Sequence, residues 1–362
     1  MCNFCSNVYI YFEVIAIKPT IKQVAEEAGV SIATVSRVLN GKDRVKDSTR
    51  SKIWEVIERL NFQPDQNARS MIKKESKLIG LVVPELMNEY WVQLFDVLQN
   101  AFWRKGYTLI LGSTDRSPEK EKAFMKSFVE RRVDGIIVGS ALTEDEELTE
   151  LLSHYAVPIV SLDPKKRDVA CVLGDHLQGA TEAVEHLIRL GHRQIAFLCG
   201  PTIPDYRELG LRNAFMMNHL PVDERLIRRV DSTVNFQLGY NEMKALLAEA
   251  APFTAVFAYS DAVAFGAVRA LEEAKLRVPE DIAVVGYDDV QMASMFKPAL
   301  TTVRQPIRDI GESMAGLLIE MIESDEETRS TTPAKTISLQ MELIVRDSCG
   351  AKLQQGAAAQ RA

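Results

Sequence analysis

A stretch near the N terminus carries side chains suited to reading nucleic acid. Three hydroxyls offer small hydrogen-bonding groups for backbone phosphates, and one arginine adds a forked donor that fits guanine edges. Two small apolar side chains at the start of the stretch can pack against thymine methyl groups in a major groove. The pattern predicts a DNA-contacting surface made by Ser31, Ile32, Ala33, Thr34, Ser36 and Arg37.

A second set of polar residues follows short apolar segments in the rest of the chain. In open α/β sheets, ligands bind in the crevice outside the carboxyl ends of the strands. Any one of these residues can instead cap the next helix, but several together indicate a polar rim. Carboxylates there suit a neutral, hydroxyl-rich ligand and would repel a multiply anionic one. The set is Asp115, Ser140, Asp163, Ser260, Asp261, Asp288 and Asp289.

The motifs of common enzyme chemistry are absent from the sequence. It contains no G-x-G-x-x-G, no P-loop, no nucleophile elbow and no H-E-x-x-H, and its five histidines are spread apart. The Cys2-x-x-Cys5 pair lacks the second pair that a zinc site needs, and the odd, scattered cysteines favour a reducing cytoplasm. We therefore expect a protein that is not an enzyme, with no catalytic residue, metal or cofactor.

Three short helices must position the DNA-contacting surface. Thr20 and Gln23 have capping-box spacing, Gly29 ends the first helix, and Ser31 caps a second over 32–39. A third helix opens at Asp47 or Ser48, so the pattern is that of a helix-turn-helix unit. A plain three-helix bundle has the same local signals and remains the alternative from periodicity alone.

The charge distribution separates this region from the rest of the chain. The 362 residues carry a formal net charge of −7. Residues 18–76 nevertheless contain 12 Lys and Arg against 8 Asp and Glu. A small basic region on an acidic body indicates a separate anion-binding module.

The body alternates short apolar segments with longer helical ones, in two runs that divide near Asp175. Such alternation predicts doubly wound parallel sheets in two lobes, hence an α/β fold class. We expect strands at 78–83, 108–111, 135–138, 158–162, 194–198, 255–258 and 282–285. We expect helices at 91–105, 119–131, 179–190 and 262–274.

The patterns predict the head, the core and the division near Asp175, whereas the hinge and the split of each lobe into two segments are implied by the family resemblance given below. Residues 1–17 form a leader, expected to be disordered, that lacks the features of a signal peptide and is too short to span a bilayer. The helix-turn-helix head covers 18–64 and a hinge covers 65–76. The core N-lobe comprises 77–174 and 306–334, the C-lobe comprises 175–305 and 335–348, and 349–362 form a disordered tail.

Residues 20–31, TIKQVAEEAGVS, followed by TVSRVLN at 34–40, resemble the lactose-repressor/galactose-repressor family of bacterial transcriptional regulators. The similarity continues through NFQP at 61–64 and ARS at 68–70. In the body it includes IGLVVP at 79–84, RVDGII at 132–137 and VVGYDD at 284–289. The family has a helix-turn-helix head and a core like that of periplasmic sugar-binding proteins.

The resemblance implies roles in DNA binding for individual residues. Ile32, Ala33 and Arg37 would read bases, and a hinge helix would place an apolar side chain in the minor groove. That side chain is usually Leu in the family, whereas this chain has Met71, a more flexible wedge. The DNA-binding set that the resemblance implies is Thr20, Ser31, Ile32, Ala33, Thr34, Ser36, Arg37, Asn40, Ala68 and Met71.

The resemblance also implies an effector site between the lobes. The implied set is Tyr90, Trp91, Asp163, Arg207, Phe236, Ser260, Asp261 and Asp288. The family usually has Asn-Asp where this chain has Ser260-Asp261, and Ser lacks the paired carbonyl and amide of Asn. We therefore expect a small-molecule effector, a sugar or related polyol, that is not a standard one read through Asn.

The expected protein is a repressor that binds a pseudo-palindromic operator as a homodimer and has no membrane role. The tail after Cys349 contains no apolar heptads, so it cannot build a helical bundle that would join dimers into a tetramer. The alternative is a sugar-binding transport component without a DNA role. The predicted head and the lack of an export signal favour the regulator.

Overall fold

The chain divides into two compact units, Met1–Ser76 and Lys77–Ala362, in the computed structural model. The structure describes residues 19–39, 45–62, 75–139, 152, 154–163, 169–198, 200, 205–229, 235–331 and 333–353. The expected leader at 1–17 and nearly all of the expected hinge at 65–76 lie outside the described residues.

The first unit contains three helices, α1 (Ile21–Ala28), α2 (Ile32–Leu39) and α3 (Asp47–Leu60). The predicted capping box is present, because Thr20 accepts from the Gln23 amide while the Gln23 side chain accepts from the Thr20 amide. Gly29 ends α1 with a φ of 65°, a left-handed conformation that glycine adopts without a steric penalty. Buried apolar residues from all three helices form one small core.

The N-lobe is a six-stranded parallel sheet with helices on both faces. Its strand order is β11-β5-β4-β3-β1-β2. One core lies under α4 and α11, and a second core lies under α5. Its elements are β1 (Leu78–Val83), α4 (Glu89–Trp103), β2 (Thr108–Ser113), α5 (Pro118–Glu130), β3 (Gly135–Val138), β4 (Ile159–Ser161), β5 (Ala170–Gly174), α11 (Ile307–Glu323) and β11 (Thr336–Leu339).

The C-lobe repeats this plan in a sheet of order β12-β10-β9-β8-β6-β7, parallel except for the β10–β12 pair. The doubly wound two-lobed fold class predicted from the sequence is confirmed. The elements are α6 (His176–Arg189), β6 (Ile195–Leu198), α7 (Tyr206–Met217), β7 (Ile227–Arg228), α8 (Phe236–Ala248), β8 (Ala255–Ala258), α9 (Asp261–Glu273), β9 (Ala283–Asp288), α10 (Gln291–Met295), β10 (Thr301–Arg304) and β12 (Glu342–Ile344). A short helix, α12 (Glu326–Thr331), follows α11.

The chain crosses between the lobes three times: after β5, between β10 and α11, and between β11 and β12. The third crossing corrects the expected boundary, which placed all of 335–348 in the C-lobe. Thr336–Leu339 pairs in parallel with β5 and therefore belongs to the N-lobe sheet. The strand was assigned to the wrong lobe because its pairing partner lies far away in sequence.

The start of the expected disordered tail also differs from the prediction. Cys349 and Ala351 are buried and belong to the C-lobe core between the sheet and α6. Two small apolar residues fill space there without any periodic pattern. The C-lobe core therefore includes residues at 349–351, inside the segment expected to be disordered. No helix among the described residues is long and apolar enough to cross a membrane.

Two C-lobe helices, α8 and α9, pack almost backbone to backbone. A Cβ added to Gly239 would lie 2.0 Å from the Val263 carbonyl oxygen, and one added to Gly266 would lie 2.0 Å from the Phe236 carbonyl oxygen. The close approach requires glycine at both positions. It fixes how the start of α9, beside the sheet edge, sits relative to α8.

Replacing Gly239 tests this packing. Gly239→Ala should lower the free energy of unfolding of the core by about 1–3 kcal/mol, because the new methyl group overlaps rigid backbone. Gly316→Ala is the matched control, since Gly316 is also helical but its Cβ would meet nothing within 4 Å. It should raise stability by about 0.5–1 kcal/mol through helix propensity. Urea titration of both variants measures the difference between their unfolding free energies. Equal changes in the two variants would contradict the close packing of α8 and α9.

Candidate functional site

The second helix of the head exposes the side chains predicted to read bases. Ile32 is 48% exposed, and Ala33 and Arg37 are exposed as well. On the same helix Val35 and Val38 are buried in the core of the head. An isoleucine left in solvent at the start of a helix has no packing role in the unit itself, so this face is available to a partner.

Two hydroxyl groups of the predicted set, those of Thr20 and Ser31, cap helices. Ser31 Oγ accepts from the Thr34 amide at 3.2 Å and lies 2.9 Å from Thr34 Oγ1. Thr20 Oγ1 accepts from the Gln23 amide at 3.3 Å, and Ser36 is half-buried. Caps of this kind hold the helix starts in place and leave further lone pairs and hydroxyl protons for phosphates. Three residues of the predicted set, Asn40, Ala68 and Met71, lie outside the described residues.

A cavity of about 440 Å³ lies between the two lobes of the core. Five of the predicted effector residues line it: Tyr90, Trp91, Asp163, Arg207 and Asp288. They come from both lobes, and each lies just past the carboxyl end of a strand, at its last residue, or in the first turn of a helix. The strand-end rule therefore located the cavity correctly. Their contacts with an effector remain predicted.

A buried guanidinium forms the C-lobe wall of the cavity. The Arg207 guanidinium carbon lies 4.1 Å from the centroids of both the Tyr259 and Tyr287 rings. Its Nη2 is 3.8 Å from Asp288 Oδ1, and its side chain is 11% exposed. Two aromatic faces and one carboxylate together offset the loss of hydration of the cation. The guanidinium is consequently held in one place.

Helix capping fixes where Arg207 begins. Asp205 caps α7 and accepts from the Arg207 amide at 2.9 Å, which places Arg207 in the first turn. Burial raises the pKa of Asp205 above its ordinary value, although the neighbouring Arg207 opposes the shift. His176 also faces this wall, with Nδ1 3.0 Å from the Tyr287 hydroxyl. Burial, and secondarily Arg207, lowers the pKa of His176, so we expect its ring to be neutral.

Asp288 is the last residue of β9 and has a strained backbone, with a φ of 113°. Strain of this kind persists only where surrounding contacts enforce it, and it occurs often at binding sites. Gln305 Nε2 donates to Asp288 Oδ1 at 2.6 Å. Burial raises the pKa of Asp288 to about 6, with Arg207 and Gln305 opposing the shift. At neutral pH it is an ionised acceptor.

Two aromatic residues at the start of α4 form part of the N-lobe wall. Asn88 caps the helix by accepting from the Tyr90 amide at 3.0 Å. The Tyr90 and Trp91 rings meet edge to face, with centroids 4.9 Å apart. Trp91 fits only because residue 139 is glycine: a Cβ on Gly139 would lie 2.7 Å from the indole. The aromatic faces suit the apolar face of a ring-shaped ligand.

The remaining N-lobe wall carries an ion pair that sequence reasoning missed. Arg116 Nη2 donates to Glu85 Oε1 at 3.2 Å, and Glu85 is 3% exposed. Burial raises the pKa of Glu85, although Arg116 opposes the shift. Tyr259, Gln305 and Glu85 directly follow strands or lie within two residues of them. The strand-end rule would have found them if it had been applied to every polar residue type.

Three residues of the predicted effector set do not line the cavity. Phe236, at the start of α8, is 45% exposed on the C-lobe surface. Ser260 is buried and caps α9 by accepting from the Val263 amide at 3.3 Å. Asp261 is fully buried and accepts from the Val290 amide at 2.9 Å and from Thr302 Oγ1 at 2.6 Å. Capping and sheet cross-linking therefore replace the expected ligand contacts at Ser260 and Asp261.

Two further strand-end carboxylates are likewise outside the cavity. Asp115 pairs with Lys120 on the surface, and Asp289 is neutralised by Arg304 and Arg346. Ser140 lies outside the described residues. Neither described carboxylate caps the next helix, which was the alternative offered for these positions: Ser117 caps α5, and α10 follows Val290 without a side-chain cap. Ion pairs engage Asp115 and Asp289 instead.

Buried polar atoms without a hydrogen-bond partner are concentrated at the cavity. Among the described residues there are six such side-chain atoms, and five of them belong to residues that line it. Each carries an energetic cost unless something binds to it. The five atoms are Glu85 Oε2, Arg116 Nε, Asp205 Oδ2, Arg207 Nε and Gln305 Oε1.

A helix-turn-helix head joined to a two-lobed ligand-binding core defines the class of this protein. A model of the bacterial regulatory proteins of the lacI family matches residues 20–65, and a periplasmic binding protein-like domain matches 184–349. The HTH-type transcriptional repressor PurR of Erwinia tasmaniensis is 36% identical over 318 residues, 86% of this chain and 93% of the relative.

Solved structures agree with that assignment. The lac repressor dimer bound to operator and the anti-inducer ONPF is 28% identical, with a TM-score of 0.79 over 92% of this chain and 99% of that one. The complex of the transcriptional regulator CelR with cellobiose is 32% identical, with a TM-score of 0.68 over 91% and 100%. The chain belongs to the lacI family of bacterial regulatory proteins. It is an effector-controlled, DNA-binding transcriptional repressor, and its relatives are repressors rather than enzymes.

The raised pKa of Asp288 has a measurable consequence. The folded state holds the Asp288 proton up to about pH 6, whereas an unfolded Asp releases it near 3.8. Stability from this group is therefore greatest at low pH and falls as the pH rises between these values, by roughly 3 kcal/mol. The unfolding free energy of wild type minus that of Asp288→Asn should decline by about 2 kcal/mol between pH 4 and 7, because the rest of the change falls below pH 4. A difference independent of pH would contradict the burial of the charge.

Proposed function

We propose that the chain is a sugar-responsive repressor that binds a pseudo-palindromic operator as a homodimer. The observation that carries the effector part is the set of five unpartnered buried atoms around one cavity. Its volume, about 440 Å³, lies within the range of small-molecule sites. Donors and acceptors are mixed in the set, as they must be for hydroxyl groups, which both donate and accept.

The charges around the cavity favour a neutral ligand. Five carboxylates line it, against two guanidinium groups, and the imidazole of His176 is uncharged. An anionic effector would face a surplus of like charge in a poorly hydrated site. A sugar or related polyol carries no charge and presents hydroxyls to both kinds of group.

Aromatic rings and a similar protein support a sugar in particular. Tyr90, Trp91 and Tyr259 line the cavity and provide the flat apolar faces that pack against sugar rings. The CelR complex shows cellobiose bound to a protein of this fold. For this chain we propose a sugar as the class of ligand, without proposing cellobiose itself.

The DNA part of the proposal depends on the exposed face of α2. Ile32, Ala33 and Arg37 would read bases in the major groove, with Ser31, Thr34, Ser36 and Asn40 on the DNA backbone. Thr20, Ala68 and Met71 complete the proposed interface, with Met71 as a minor-groove wedge. Pairing of two hinges across a symmetric site requires a homodimer. We place the protein in the cytoplasm because its operator is there, and we propose no catalytic, metal or membrane role.

A thermal-shift panel tests the effector class. The wild-type chain should melt at a higher temperature with at least one of D-ribose, D-glucose, cellobiose and myo-inositol, because a ligand that binds only the folded state stabilises it. Purine and pyrimidine bases are tested in the same way as a second set of ligands. A shift with a base and with none of the sugars or polyols would overturn the sugar proposal.

Asp288→Asn separates effector binding from DNA binding. The change keeps the volume but removes an ionised acceptor, and a charge-assisted hydrogen bond contributes about 1.5–3 kcal/mol. Affinity for the sugar with the largest thermal shift should fall about 10-fold or more at pH 7.5, as measured by calorimetry. DNA affinity without ligand should stay at the wild-type value. Asp289→Asn is the control, because it removes the neighbouring carboxylate outside the cavity; equal losses in both variants would contradict the assignment.

Arg37→Ala tests the base-reading surface. Loss of the forked donor should weaken operator binding by about 1–3 kcal/mol and relax one symmetric base position. Selection from random DNA with wild type and variant, followed by titration, measures both effects. Lys22→Ala is the control, because Lys22 is also exposed and basic but lies on α1. Asymmetric or single half-sites from the wild type would contradict the dimer and the palindrome.

A further inference from the structure

The Glu85–Arg116 pair lies at the ends of two neighbouring N-lobe strands. Glu85 follows β1 and Arg116 follows β2, and these strands pair in parallel along their whole length. Both residues line the cavity, with side chains 5% and 18% exposed respectively. Neither belongs to the effector set that the sequence implied.

The backbone fixes the position of this pair. The Arg116 amide donates to the Pro84 carbonyl at 3.0 Å, which ties the β2–α5 turn to the end of β1. Asp115 and Arg116 both have left-handed backbones, with φ of 49° and 59°. Two consecutive non-glycine residues in that region are uncommon, and strain of this kind is often kept where it positions a side chain.

A comparison with a second ion pair shows that Glu85–Arg116 retains unused hydrogen-bonding capacity. Asp289 and Arg346 are similarly buried, at 8% and 17%. Both oxygens of Asp289 are engaged, Oδ1 by Arg346 Nη2 at 2.6 Å and Oδ2 by Arg304 Nε at 2.7 Å. In the cavity pair, by contrast, Glu85 Oε2 and Arg116 Nε have no partner. A buried pair that only stabilised the fold would be expected to resemble Asp289.

The C-lobe wall offers the same combination. Arg207 Nε and Gln305 Oε1 also lack partners, beside the carboxylate of Asp288. Each wall therefore presents a guanidinium with a free Nε donor together with a free acceptor oxygen. That acceptor is Glu85 Oε2 on the N-lobe side and Gln305 Oε1, beside Asp288, on the C-lobe side. Two adjacent hydroxyls match such a pair, because one donates to the acceptor while its neighbour accepts from the guanidinium.

We infer that Glu85 and Arg116 form the N-lobe half of the effector site and that the effector is a neutral ring with a pair of adjacent hydroxyls on each of two edges. This inference rests on the proposed sugar response and specifies it. A ligand that engages both pairs connects the lobes, since one pair belongs to each. The cavity volume of about 440 Å³ is within the range of small-molecule sites and is ample for a single sugar ring.

The test uses Glu85→Gln and Arg116→Gln in the full chain, with Arg346→Gln as the matched control. Calorimetry is done with whichever of D-ribose, D-glucose, cellobiose and myo-inositol gives the largest thermal shift, and with its monodeoxy analogues. Glu85→Gln and Arg116→Gln should each lower affinity about 10-fold or more, because each removes one charge-assisted bond. Arg346→Gln should leave affinity unchanged although it also breaks a buried pair.

The deoxy analogues locate the contact. For one hydroxyl, its removal and Glu85→Gln should cost no more together than either alone, because both delete the same hydrogen bond. Additive losses for every hydroxyl would overturn the inference. The inference would also be overturned if Glu85→Gln and Arg116→Gln bound the sugar with wild-type affinity while Asp288→Asn bound it more weakly. That result would leave the proposed function intact. If the wild type binds none of these sugars or polyols, the proposed function itself fails.

If Arg116→Gln fails to fold, the affinity of Glu85→Gln for the sugar is sufficient to test the inference. Glutamine keeps the volume of Glu85 and still offers an oxygen to Arg116, so the pair geometry is retained. Because burial disfavours the charged form of Glu85, removal of that charge should not destabilise the N-lobe. Circular dichroism and urea titration of this variant should match wild type.

Discussion

A positive charge buried between two aromatic rings organises the C-lobe side of the cavity. The guanidinium of Arg207 comes from α7, while Tyr259, Tyr287 and Asp288 come from the ends of two neighbouring strands. A charge removed from water is costly unless other groups compensate, so the rings and the carboxylate must remain in place around it. Truncation of any one partner would weaken this compensation. The position of the whole wall thus depends on this arrangement.

The segments that cross between the lobes also supply cavity residues. Gln305 lies at the second crossing, directly before α11 of the N-lobe, and donates to Asp288 of the C-lobe. Near the cavity, the Gln291 amide donates to Glu89 Oε1 at 3.1 Å, which joins α10 to the start of α4. A change in the angle between lobes must alter these bonds. Ligand binding and lobe arrangement can therefore be coupled by the 1–3 kcal/mol typical of allosteric proteins, roughly what one or two such bonds contribute.

The sequence predicts correctly those strands whose limits are determined by short segments of the chain. Three expected strands, β1, β3 and β8, have the predicted bounds, since each is a short apolar run between turn signals. The lobe of Thr336–Leu339 was wrong because its exposed, alternating residues carry no information about a partner more than 160 positions away. Asp163 and Asp288 were found at the cavity through their strand ends. The same rule misplaced Ser260, because a strand end that leads into a helix also needs a cap. It misplaced Asp261 because that carboxylate is bonded to Thr302 of the sheet and to the Val290 amide.

Three aspartates in the C-lobe show why residue type alone could not assign the site. Asp261 is buried with both oxygens bonded to the sheet and the following loop, and burial raises its pKa well above the ordinary value. Both oxygens of Asp289 form ion pairs with arginines, Arg304 and Arg346. Asp288, its immediate neighbour, lines the cavity and has a φ of 113°. The partners that distinguish the two neighbouring carboxylates are Arg207 and Gln305 for Asp288, and Arg304 and Arg346 for Asp289. These partners come from other parts of the chain, so residue type alone does not assign the site.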